Sequence, residues 1–193
     1  ALGASKLGCR AVIVMPTTTP QLKVDAVEAL GGEVVLIGDS YSDAHKHAIM
    51  LEKKMGMTFV HPFDDPEVIA GQGTVGLEIA AQAAEAGVTE ADVVVCCGGG
   101  GLTSGIALAL VEDAPKMRVH PAEPAGFDDV TRSLAAGKIL SNPSVSGSIC
   151  DAIVTPQPGA LTFPIMQAHC GAGVVVTDED CLRAMGLAYE RLK

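Results

Sequence analysis

The sequence predicts an α/β protein of parallel sheets with helices on both faces. β-rich runs alternate along the chain with segments of helical periodicity. The intervening helices are long enough to serve as crossover connections, which parallel strands require. One apolar run, residues 93–97, passes through four glycines straight into a helical segment.

The elements follow in order. Residues 1–7 read as the later turns of a helix, with Leu2 and Leu7 flanking Ala4 on an apolar side. Residues 10–15 form a strand, and Pro16 with three threonines a loop. Residues 20–30 carry Leu22, Val27 and Leu30 at helical spacing, stopped by Gly31 and Gly32. Residues 33–37 give a second strand, 42–55 a second helix and 58–60 a third, short strand. After the turn-rich stretch from His61 to Pro66, Gly71-Gln72-Gly73-Thr74 steps into a long Ala-rich helix ending near Gly87. Then come strand 92–97, helix 102–112 and strand 117–122, where Pro121 predicts an irregular or edge strand. A last strand, 174–176, leads to a helix with Thr177 as cap and Asp180 at the capping-box position. Neither end of the chain carries a helix start or stop: no cap precedes Leu2, and the pattern of Leu182, Met185 and Leu192 runs on to Lys193. A piece truncated at both ends is expected.

Composition narrows the function. Thirteen basic against 23 acidic residues leave a net charge of −10, which argues against nucleic acid or an anionic membrane as partner. The longest apolar run, residues 106–111, falls far short of the ~20 that a membrane helix needs. No secretory leader is visible. The six cysteines, at 9, 96, 97, 150, 170 and 181, form no C-x-x-C pair, so reduced, buried thiols in a cytoplasmic protein are expected. Cys96 and Cys97, adjacent in a strand, should face opposite sides of the sheet. His45 and His47 diverge on a helix and read as part of a solvated face, not as a metal pair.

The chemistry concentrates at Gly98, Gly99, Gly100, Gly101 and Leu102. Without Cβ atoms the backbone can curl so that successive N–H groups face one anion, and the helix behind them adds partial positive charge. A phosphate fits there without Lys or Arg. The dinucleotide fingerprint fails, because Gly98 and Gly100 lead to Thr103, and Gly99 and Gly101 to Ser104. Glu123 nonetheless stands where a ribose-binding acid would, so an NAD-binding Rossmann-type domain remains a rival. The Walker pattern is absent.

Four motifs occur in order: AVIVMPTTTP at 11–20; His61-Pro62-Phe63-Asp64-Asp65-Pro66 continuing to Gly71-Gln72-Gly73-Thr74; the tetraglycine loop with Leu102; and Glu123-Pro124 with Asp128-Asp129. With Ile149-Cys150-Asp151-Ala152 they make the chain resemble, over essentially its whole length, the pyridoxal-phosphate (PLP) dependent serine/threonine dehydratases. These have the tryptophan-synthase-β-like fold, PLP fold type II. The resemblance implies that residues 1–63 are part of a small substrate-closing domain and 64–193 part of a large cofactor-binding domain. It implies that Gly98 to Leu102 hold the PLP phosphate, and that the reaction removes water from L-threonine or L-serine to give a 2-oxo acid and ammonia. A cytoplasmic homo-oligomer acting on a small amino acid is expected. The family's Schiff-base lysine belongs to a Ser-x-Lys-x-Arg motif that is absent here. Lys6, Lys23, Lys46, Lys53, Lys54, Lys116, Lys138 and Lys193 lack its context, so no catalytic residue is assigned and the lysine is expected upstream. An inactive fragment is one alternative, and serine racemase or hydroxyaspartate dehydratase are alternatives within the family. Cys96-Cys97 replaces the family's usual Pro-Val.

A metal site is expected beside the cofactor domain. Glu123, Asp129 and the main-chain carbonyl of Phe127 can offer an oxygen shell suited to Mg²⁺ or Ca²⁺, and the resemblance points to the same positions. The competing reading has Asp128 or Asp129 capping a helix that runs to Ala136, with Glu123 solvated.

Overall fold

A computed structural model describes residues 1–144 and 146–192; Lys193 lies outside the described residues. The chain divides into two compact units, Ala1–Phe59 and Val60–Lys193, four residues ahead of the boundary expected at 63/64.

The first unit contains α1 (Leu2–Lys6), β1 (Val12–Met15), α2 (Gln21–Ala29), β2 (Glu33–Leu36) and α3 (Tyr41–Met55). Val12 to Met15 pair in parallel with Glu33 to Leu36, joined by the crossover helix α2. Ser40 caps α3 by accepting from the Asp43 N–H at 3.2 Å, and Gly56 closes it with φ 64°. Residues 58–60, expected as a strand, join no ladder. The Phe59 N–H donates to Glu52 Oε1 at 3.1 Å, so a side chain takes the place of a neighbouring strand. His45 is not simply solvated: it packs edge-on against Phe59 and beside Tyr41.

The second unit contains α4 (Pro66–Glu85), β3 (Ala91–Cys96), α5 (Gly101–Asp113), β4 (Met117–Pro124), α6 (Asp129–Ala136), α7 (Thr162–His169), β5 (Val174–Val176) and α8 (Asp178–Arg191). Its sheet is parallel, in the order β3-β4-β5. Val95, Met117 and Val119 pack against Ile106, Ala107 and Leu110 of α5 to form the main core. A second cluster joins Cys97, Val130 and Met166. The opposite face of β3 is open, with Val94 61% exposed. Of the cysteines, Cys97 alone is fully buried and Cys9 and Cys96 are exposed, which corrects the expectation that all six are buried; none is bridged. Cys96 and Cys97 do take opposite sides of the sheet.

Two further expectations are corrected. The glycines at 71 and 73 lie inside α4 and do not lead into it, because Asp65 caps the helix through the N–H groups of Glu67 and Val68 and Pro66 opens it. Pro121 does not mark an edge: β4 is the central strand and continues to Pro124. The Ala122 carbonyl accepts from Cys97, so Pro121, one residue earlier, turns its nitrogen toward the other neighbour. On that side β5 pairs only from Ala122 onward, and no ladder hydrogen bond is lost. Thr177 and Asp180 form the expected capping box of α8.

Candidate functional site

The glycine loop joins β3 to α5. The Cys97 N–H makes the last ladder bond, to the Ala122 carbonyl at 2.9 Å, and the first helical bond runs from the Ser104 N–H to the Gly100 carbonyl at 2.8 Å. Between them the N–H groups of residues 98–103 meet no backbone or side-chain acceptor among the described residues. Gly99, Gly100 and Gly101 are buried, and a buried N–H without a partner is costly unless something else accepts from it. Gly100 is the N-cap of α5 with φ 92°, a backbone region that disfavours any side chain. The sequence predicts an anion cradle here; the structure places consecutive N–H donors without acceptors at a helix N-terminus.

The loop is held from behind by Phe63 and Asp64 of the motif that begins at His61, and by Gly159 and Thr162, which the sequence did not single out. A Cβ on Gly99 would stand 2.3 Å from the Phe63 ring, and one on Gly101 3.0 Å from the Phe63 backbone. The Gly99 carbonyl accepts from Thr162 Oγ1 at 2.6 Å and from the Gly159 N–H at 3.2 Å. Asp64 fixes that support: its carboxylate accepts from the N–H groups of Ala160, Leu161 and Thr162 at 2.8 to 3.3 Å. Asp64 is legible in the motif that begins at His61, but its partners lie 96 to 98 residues away and carry no local signal. Leu102 sits half-buried in the first turn of α5.

The acidic group is arranged differently from either reading of the sequence. Glu123 is fully buried, not solvated, and it caps α6 from the end of β4. Its Oε1 accepts from the Val130 N–H at 2.8 Å, and its Oε2 from the Thr131 N–H at 2.7 Å and Thr131 Oγ1 at 2.6 Å. Asp128, in the N-cap position, makes no side-chain cap bond. With its carboxylate turned into the protein, Glu123 offers nothing to a ribose hydroxyl, and the NAD reading loses its acid. Asp129 is also buried; its Oδ1 accepts from Asn142 Nδ2 at 2.5 Å, while its Oδ2 is buried with no hydrogen-bond partner. Burial, and then the Glu123 charge, push the Asp129 carboxyl up to about 7. Burial raises Glu123 as well, against the hydrogen bonds from Thr131 and Val130. Phe127 lies buried between them in chain order, its N–H bonded to the Pro124 carbonyl at 2.9 Å. Among the described residues, no three His, Cys, Asp or Glu side chains converge as a metal-binding group. No helix among them is long and apolar enough to cross a membrane.

The chain can be set beside known proteins. It is 45% identical over 184 residues to the chloroplastic biosynthetic threonine dehydratase of Arabidopsis thaliana, covering 95% of this chain and 30% of that protein. With an L-threonine ammonia-lyase of Geobacter sulfurreducens it shares 39% identity over 193 residues, all of this chain and 47% of the other. Among solved structures, a T.th. threonine deaminase superposes with a TM-score of 0.92 at 39% identity, over 99% of this chain and 61% of that one. Maize serine racemase follows at a TM-score of 0.91 and 35% identity, over 99% and 56%. The chain thus spans between about a third and a half of the length of these curated relatives. A family model for pyridoxal-phosphate dependent enzymes matches residues 1–193, the tetraglycine turn and its helix included. By that match over its whole length, the chain belongs to the pyridoxal-phosphate dependent enzymes.

Proposed function

We propose that the protein carrying this chain removes water from L-threonine or L-serine, yielding a 2-oxo acid and ammonia, and that Gly98, Gly99, Gly100, Gly101 and Leu102 hold the cofactor phosphate. The observation that carries this reading is the run of N–H groups at residues 98–103 that meet no acceptor. The relatives named as threonine dehydratases and ammonia-lyases supply the reaction class. When bound, pyridoxal phosphate supplies an electron sink for the bonds at the substrate α-carbon. This chain's residues bind and orient. The loop donates to the phosphate oxygens, the N-terminus of α5 adds its partial positive charge, and Thr162, its backbone fixed by Asp64, holds the Gly99 carbonyl so that the donors stay aligned. None of the chain's lysines is given a catalytic role. Unbridged thiols support placement in the cytoplasm, and the homo-oligomer rests on family resemblance alone. The test is release of 2-oxo acid by the whole protein, followed with a coupled dehydrogenase. Release from threonine or serine that depends on added pyridoxal phosphate is expected; its absence with both amino acids overturns the assignment.

The same reading places Mg²⁺ or Ca²⁺ at Glu123, Asp129 and the Phe127 carbonyl. What supports it is the unpartnered, buried Oδ2 of Asp129 beside a second buried carboxylate, a charge pair that a hard divalent cation would relieve. The expected pH dependence has a definite sign. Without metal, the folded state holds the Asp129 proton up to about pH 7, whereas the unfolded chain releases it near its ordinary value of 3.8. The folded state therefore binds more protons in that window, and stability falls as pH rises through it. Melting midpoints in EDTA should decline across this range. Saturating Mg²⁺, or Asp129→Asn, should flatten the decline. A wild-type midpoint indifferent to metal and chelator at pH 7 returns the acids to a purely structural role.

A further inference from the structure

We propose that Cys150 and Cys181 are a reversible dithiol–disulfide pair, a latch that fastens helix α8 to the loop resting on the glycine turn. Their Sγ atoms lie 3.6 Å apart although the residues are 31 apart in sequence, and both side chains are partly exposed. The approach is built, because Asp178 in the first turn of α8 already docks the loop. Its Oδ1 accepts from Ser148 Oγ at 2.6 Å and its Oδ2 from the Ile149 N–H at 3.3 Å. Ser148 Oγ in turn accepts from the Cys150 N–H at 3.0 Å. Two successive tethers therefore hold Cys150 over the turn of α8 that carries Cys181. The other four cysteines have no thiol partner placed this way among the described residues: Cys9 contacts the Leu7 carbonyl, and Cys97 the Gly98 carbonyl and the Met166 sulfur.

The loop links this pair to the glycine turn. The Cys150 carbonyl accepts from the Ile153 N–H at 3.0 Å, closing a tight turn. A Cβ on Gly98 would lie 3.3 Å from both the Ile153 Cα and the Thr155 Cγ2, so the far side of that turn rests directly on the glycine loop. In the thiol state, hydrogen bonds to Asp178 tie the turn to α8 with no covalent link. In the disulfide state a covalent bond holds it, and the segment between Cys150 and Gly98 loses its freedom to open.

The chemistry balances with glutathione disulfide as oxidant. One cysteine thiolate attacks a glutathione sulfur, forming a mixed disulfide and releasing one glutathione thiolate. The second cysteine thiolate then attacks the protein-side sulfur and expels the other glutathione. Two protein thiols lose two electrons and two protons, and one glutathione disulfide becomes two glutathione thiols. The hydrogen bond with Cys150, then burial and the nearby Asp178 and Asp180 charges, disfavour the thiolate of Cys181, so oxidation is expected to quicken as pH rises. A pair of this kind in a reducing compartment responds to redox state and does not act as a permanent staple.

The test equilibrates the whole protein in glutathione buffers of graded ratio, alkylates it and digests it with a protease cleaving before Asp. Cuts before Asp151, Asp178 and Asp180 place Cys150, Cys170 and Cys181 on separate peptides. A linked Cys150–Cys181 peptide is expected in the oxidising buffers and none in Cys150→Ser or Cys181→Ser. Cys9 and Cys96 should carry only glutathione adducts. Hydrogen exchange over residues 148–155 should slow about tenfold in the oxidised wild type and stay unchanged in either variant. Glutathione adducts alone on Cys150 and Cys181, a link from either to Cys170, or a linked protein with unaltered exchange would each overturn the latch.

Discussion

In the whole protein, Gly99→Asp is expected to abolish retention of pyridoxal phosphate through gel filtration, while Gly99→Ala weakens it. The two substitutions separate two effects. Any Cβ at this position stands 2.3 Å from the Phe63 ring, so both variants force the ring or the loop to move. Only the aspartate adds a negative charge at a helix N-terminus that the cofactor phosphate would occupy. Unpaired like charges in a buried site cost several kcal/mol, so about a thousandfold loss of affinity is expected beyond that of the alanine variant. Cofactor absorbance after desalting measures retention, and circular dichroism shows whether the fold survives. An aspartate variant that folds and keeps its cofactor removes the phosphate from this loop. Loss of folding in Gly99→Asp alone would leave the alanine variant to decide, since its expected loss, about tenfold, comes from displacement of the donors.

Strand and helix order was legible because it rests on local periodicity and caps. Thr177 and Asp180 mark the start of α8, and four glycines mark the turn after β3. The misreadings came from effects that act across the chain. Residues 58–60 have a strand's composition, yet Glu52 takes the N–H of Phe59. Pro121 breaks strands in general; its position is harmless because β5 begins one residue later in register. At the site, the loop was visible but its support was not: nothing adjacent in sequence announces that Thr162 bonds the Gly99 carbonyl or that Asp64 holds residues 160–162. The acids were seen as a group, while the cap that Glu123 supplies to α6 depends on where β4 ends in space.

Gly105→Ala is expected to destabilise the protein by about 3 kcal/mol, against the ordinary helix preference for alanine. The reason is the crossing of α4 and α5. A Cβ on Gly105 would meet the Ile69 carbonyl oxygen at 2.5 Å and the Gly73 nitrogen at 2.6 Å, and backbone atoms cannot rotate away as a side chain could. A Cβ on Gly76 would meet the Ile106 carbonyl oxygen at 2.9 Å on the same crossing, so small residues let the two helix backbones come close. The control lies on the same helix pair. Gly71, also inside α4, has nothing within 4 Å of its added Cβ, so Gly71→Ala should stabilise by roughly 0.5–1 kcal/mol. Urea midpoints of the two variants should move in opposite directions, and equal shifts would show that the crossing tolerates separation. The consequence reaches the site, because Gly105 lies about one turn after Gly101, at the end of α5 that bears the loop donors. If α5 is pushed off α4, those donors shift with it, and Gly105→Ala should lose cofactor affinity as well as stability while Gly71→Ala keeps both.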